Sequence, residues 1–150
     1  MRPSKDTYYL DIALAVSKRS TCLRRHYGCV IVKDEIIIAT GYNGNPRKEE
    51  NCCDCGVCKR ADAERYSDYE NCNAVHAEQN ALIAASRDRL IGATVYLACE
   101  EYREKYIPEA SDYAPFLIED KNPIPCNICA NMLKNAGIIR IVNRGGEVCL

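Results

Sequence analysis

His76 and Glu78 stand two residues apart within Cys72-Asn73-Ala74-Val75-His76-Ala77-Glu78-Gln79-Asn80-Ala81-Leu82, in a chain with only two histidines. The strong helix formers Ala81 to Ala85 follow at once, which predicts that His76 and Glu78 occupy the first turn of a helix. Further along, Pro125-Cys126-Asn127-Ile128-Cys129 runs into a second helical pattern (Ala130, Met132, Leu133, Ala136) that stops at Gly137. Cysteines three apart at a helix start share one face, and the free N–H groups and dipole of that turn favour the metal-binding thiolate. Together His76, Cys126 and Cys129 make a Cys₂His set, which leaves the fourth tetrahedral position of a zinc ion open to water, the mark of a catalytic site. Zinc lowers the pKa of water from about 16 to about 7, and Glu78 beside it is placed to move protons to and from a substrate. Either half alone reads equally well as a structural zinc clip or a core histidine near unrelated thiols. Both halves, each opening a helix, point to catalysis.

At 150 residues and 47% hydrophobic the chain suits one domain with a real core. No stretch approaches the roughly 20 apolar residues of a membrane span, and Met1-Arg2-Pro3-Ser4-Lys5-Asp6 has no apolar signal character, so the expectation is a cytoplasmic protein. In a reducing cytosol, eleven cysteines suggest metal ligation over disulfides. Twenty basic against twenty-one acidic residues, net −1, does not suggest general nucleic-acid binding, although a local basic cluster can hold one phosphate.

Elements that could position these groups follow from periodicity. Ser4 caps a predicted core-packing helix (Tyr9, Ile12, Ala13, Val16) that runs to about Arg19. Cys29 to Val32 and Ile36 to Ala39 flank Lys33-Asp34-Glu35 as a hairpin of largely buried strands, and Gly41-Tyr42-Asn43-Gly44-Asn45-Pro46 ends the second. Residues 47–72 are polar and cysteine-dense, which predicts a loop stapled by metal. A helix from about Ala74 to Arg87 and a strand Thr94 to Ala98 come next. Residues 99–122 read as an inserted, charged loop with one helical turn. The Cys126–Ala136 helix then leads into a strand at Ile138 to Val142, a βαβ unit whose two strands should be parallel.

His-x-Glu followed by Pro-Cys-x-x-Cys is the signature of zinc nucleobase deaminases. With Arg19-Ser20-Thr21-Cys22, Gly41-Tyr42-Asn43-Gly44 and Asn135-Ala136-Gly137-Ile138 added, nearly the whole chain resembles the deoxycytidylate deaminase family of the cytidine-deaminase-like superfamily. The resemblance implies a three-layer αβα sandwich around a mixed five-stranded sheet, and zinc-dependent hydrolysis of dCMP to dUMP and ammonia. By position it puts catalytic zinc on His76, Cys126 and Cys129, the proton shuttle on Glu78, and substrate contacts on Asn43 and Ala77. Relatives with a second, structural zinc draw on cysteines resembling Cys22, Cys52, Cys58 and Cys72, with Cys53 as an alternate that keeps the assignment open. Arg24 is a candidate for the substrate phosphate, a surface arginine being the plainer role. The resemblance also implies a homo-oligomer, often a hexamer, and control by dCTP and dTTP with Mg²⁺. Two other readings are deamination of another base, nucleotide or tRNA base, and a non-enzymatic zinc-stapled module; the latter leaves Glu78 without a role. Among ten tyrosines, Tyr42, Tyr96 and Tyr102 are candidates to stack on a base, packing being the commoner role.

Overall fold

The computed structural model describes residues 1–105 and 114–150. Helix α1 (Lys5–Ser17) opens where the Ser4 hydroxyl accepts the Thr7 N–H at 3.1 Å, the predicted cap. Strands β1 (Arg25–Lys33) and β2 (Ile36–Tyr42) form the predicted hairpin, longer than the apolar runs alone suggest. Its two-residue turn puts Asp34 and Glu35 at φ 49° and 65°, the left-handed pair that lets twisted strands close tightly.

A single helical turn, α2 (Cys52–Cys55), and a 3₁₀ turn at Tyr69–Asn71 punctuate the cysteine-rich segment. The helix predicted from Ala74 to Arg87 is two helices, α3 (Ala77–Ile83) and α4 (Arg87–Leu90). It cannot start earlier because Val75 exchanges both backbone hydrogen bonds with Gly44, and it breaks at Ser86, whose ψ of 150° is extended. After β3 (Thr94–Lys105) come β4 (Ala114–Asp120), α5 (Asn127–Ala136), β5 (Arg140–Asn143) and β6 (Gly146–Val148).

The sheet order is β2-β1-β3-β5-β6, with β3 and β5 parallel, as the βαβ pattern predicts, and the other pairings antiparallel. The expected loop at 99–122 is instead a hairpin: β4 pairs antiparallel with residues 99–105 of β3 and adds a sixth strand. Charged residues and Pro115 argue against a strand locally, but an edge strand faces solvent along one side and tolerates both. The expected helical turn would have to lie in 106–113, outside the described residues.

Strand alternation creates the three layers. Cys29, Ile31, Val95, Leu97 and Ile141 face α3 and α5, joining Ala77, Ala81 and Leu133 in one core. Val30, Val32, Tyr96, Ala98 and Val142 face α1, joining Tyr9, Leu10 and Ala13 in the other. Strands apolar on both faces are what a sheet covered on both sides requires. No helix among the described residues is long and apolar enough to cross a membrane.

Candidate metal centre and its cavity

Two helices begin at one corner of the sheet. His76 is the N-cap of α3, its N–H donating to Gln79 Oε1 at 2.9 Å, and Cys126 is the N-cap of α5, its sulfur accepting the Cys129 N–H at 3.4 Å. The run into α5 is fixed from below, where buried Asn143 donates from Nδ2 to the Pro123 carbonyl at 2.9 Å. His76 Nδ1 then lies 3.5 Å from Cys126 Sγ and 3.4 Å from Cys129 Sγ, and the three donor atoms all fall within 4.8 Å of one another. In a tetrahedral zinc site with bonds of about 2.0–2.1 Å to nitrogen and 2.3 Å to sulfur, the nitrogen–sulfur edge is about 3.5 Å. The donor set and its spacing fit zinc.

The groups at this corner also perturb one another. Cys126 is held well below the ordinary thiol value, first by the Cys129 side chain and then by His76 and the Cys129 N–H. Cys129 is pushed up by the Cys126 thiolate and by burial. His76 is pulled up by its hydrogen bond to Cys126. Glu78, only 4% exposed, reaches the Cys129 sulfur, and burial raises its carboxyl above the ordinary 4.5. A carboxyl shifted towards neutrality can both take and return a proton.

These groups open onto a cavity of about 100 Å³. Asn43 and Ala77 line it, as the resemblance implies. The Asn43 side chain also ties the wall together: Oδ1 accepts from Ser20 Oγ (2.7 Å) and the Tyr27 N–H (2.8 Å), and Nδ2 donates to the Arg25 carbonyl (2.9 Å). Arg24 lines the cavity too, but its terminal nitrogens donate to the carbonyls of Arg60 and Ala63, so it anchors the cysteine-rich segment.

Cys22, Cys52, Cys55, Cys58 and Cys72 line a second cavity of about 370 Å³, whereas Cys53 is exposed and does not. Among the described residues only His76, Cys126 and Cys129 bring three such donors within 4.8 Å, so the loop thiols share a space without converging. The tyrosines around the first cavity are Tyr27, Tyr66 and Tyr69. Tyr96 instead packs in the α1-side core with its hydroxyl on Asp6, and Tyr102 sits edge-on to His26. Arg60, Arg65 and Tyr69 carry no motif, and sequence reasoning missed them; their only signal is that they lie between cysteines already suspected of sharing a site.

The profile of the family described as the cytidine and deoxycytidylate deaminase zinc-binding region matches residues 3–144. The deoxycytidylate deaminase of Mycobacterium phage D29 is 37% identical over 145 residues, 94% of each chain. That of Saccharomyces cerevisiae is 44% identical over 100 residues, 67% of this chain but 31% of the yeast protein, so the chain spans about a third of that relative. The crystal structure of the dCMP deaminase from cyanophage S-TIM5, in apo form, superposes with a TM-score of 0.62 at 25% identity, over 95% of this chain and 83% of the other. The match over residues 3–144, together with the Cys₂His corner and the neighbouring glutamate, shows that the chain belongs to the cytidine and deoxycytidylate deaminase zinc-binding family.

Proposed function

We propose that this protein hydrolyses dCMP to dUMP and ammonia. The observation that carries the reading is the buried Glu78 carboxyl set against a Cys₂His corner at the floor of an arginine-lined cavity. Relatives that match it over most or a substantial part of its length are deoxycytidylate deaminases.

His76, Cys126 and Cys129 would hold zinc, which when bound would supply the Lewis acid that activates water at neutral pH. Glu78 takes the proton released as water adds to C4 of the base and delivers it to ring nitrogen N3. It then carries a proton to the departing amine, so that one water is consumed and one ammonia leaves. Ala77, first residue of α3, has an N–H without a partner inside the helix, available to a base oxygen. Asn43 lines the cavity and has one amide hydrogen without a partner among the described residues, available to the sugar, and Arg24 adds positive charge to the wall.

The eleven free thiols suit a cytoplasmic setting. Exposed apolar side chains on neighbouring helices, Ile83 on α3 with Ile128 and Met132 on α5, support assembly into a homo-oligomer.

The test is chromatographic detection of dUMP from dCMP by zinc-loaded protein. It is run with and without dCTP and magnesium, because effector control is implied by the family resemblance, and with Glu78→Ala as paired control. Product from wild type alone supports the reading; no product under either condition, with zinc bound, sinks it.

A further inference from the structure

We propose that Arg60 and Arg65, from the cysteine-rich segment, form the subsite that grips the substrate's 5′-phosphate. The inference deepens the reading of the cavity as a nucleotide site and rests on it for the identity of the ligand.

Four arginines, Arg24, Arg25, Arg60 and Arg65, line the cavity against one carboxylate, Glu78. Two of them have carboxylate partners. Arg25 pairs with Glu101 at 3.0 Å and Arg65 with Asp120. Among the described residues neither Arg24 nor Arg60 pairs with a carboxylate, and both are half-buried. A guanidinium drawn partly out of water without a counter-ion is costly, and an incoming anion removes that cost.

The donors also point to a ligand. Arg60 Nε and Arg65 Nε are both buried atoms with no hydrogen-bond partner. Backbone N–H and guanidinium donors buried in proteins are nearly always satisfied, so two orphans in one small cavity call for an acceptor. Phosphate oxygens match the guanidinium fork in geometry and charge.

Placement agrees. The Tyr69 ring lies 5.5 Å from the His76 ring, and Arg60 Cζ lies over the same ring at 4.8 Å. Tyr69 therefore neighbours both the metal corner and the guanidinium, which puts the two in one cavity. Both arginines are held ready. Arg60 stacks over Tyr69 and donates to the Ser67 carbonyl; Arg65 is fixed by Asp120 and by the Tyr27 hydroxyl at 3.4 Å. Asp120 belongs to β4, so the added hairpin reaches the reaction cavity by orienting Arg65.

The experiment compares kcat/KM for dCMP and for deoxycytidine in wild type, Arg60→Gln, Arg60→Lys and Arg65→Gln, all zinc-loaded. We expect dCMP turnover to fall about 10- to 100-fold in Arg60→Gln, mainly through KM, with deoxycytidine turnover unchanged. Arg60→Lys should restore part of the loss, as charge without the fork. Equal losses on both substrates, or none on dCMP, overturn the subsite. A second measurement stands apart from catalysis: inorganic phosphate titrated into zinc-loaded protein should shift the Nε–H resonances of Arg60 and Arg65, assigned by their disappearance in the Gln variants. Phosphate that shifts neither signal overturns the subsite whatever the assay shows. Shifted signals in a protein that leaves dCMP untouched keep the subsite and reject dCMP deamination.

Discussion

Gly41 of β2 lies so close beneath α3 that a Cβ built on it would sit 2.3 Å from the Ala77 carbonyl oxygen and 2.4 Å from the Ala81 nitrogen. Both are backbone atoms, so no side chain can swing aside. Gly41→Ala must push α3 away from the sheet, at a cost of about 1–3 kcal/mol. Because Glu78 follows Ala77 directly, the same shift should lower kcat. Thermal melting and dCMP turnover check both; a variant as stable and as active as wild type would contradict this packing.

Glu78→Gln keeps the shape of the buried side chain but cannot accept a proton. We expect turnover to drop about 10²- to 10⁴-fold while bound zinc stays at the wild-type level, since Glu78 is not one of the three converging donors. Metal analysis alongside the assay separates a lost proton carrier from a lost metal site, and zinc depletion in this variant would be the unwelcome result.

Removing a metal donor should do the reverse. Cys129→Ser is expected to lose one zinc per chain, because it deletes a sulfur 3.4 Å from His76 Nδ1. Cys22→Ser should leave that ion in place. Elemental analysis of the purified variants decides it, and a fall in total zinc with Cys22→Ser would reveal a second ion in the larger cavity.

Acid should loosen the first helix. Asp6 accepts from two Arg140 nitrogens, at 2.8 and 3.0 Å, and from the Tyr96 hydroxyl at 2.8 Å, which holds its carboxyl below the ordinary 3.8, Arg140 being the main cause. A folded-state value below the unfolded one contributes stability above pH 3.8 that fades as pH falls through the lower, folded value. The Asp6 side chain is 41% exposed, so the contribution is screened by salt. Melting temperatures taken downward from pH 7 should therefore converge for wild type and Asp6→Asn in strong acid and differ most at neutral pH and low salt. Parallel curves at every pH would dismiss the pair.

The reacting residues were legible in the chain because their placement is local. Cysteines at i and i+3 behind a proline, and a histidine two before a glutamate, each set their geometry within one helical turn, and donor type alone narrows the metal. The strands were legible as well, since a sheet covered on both faces needs continuous apolar runs such as Cys29 to Val32. What required tertiary structure are contacts between distant segments. Nothing near Val75 announces that Gly44 will hold it extended and so delay α3, and nothing local makes a strand of Ala114–Asp120 until β3 offers it an edge. Arg60 and Arg65 sit in a polar segment with no periodicity, and only the contact of Asp120 in β4 with Arg65, and that of the Tyr69 ring with both Arg60 and His76, bring them to the cavity. Local spacing determines which atoms can do chemistry; sheet register and loop anchoring decide what those atoms face, because such contacts depend on residues far apart in sequence.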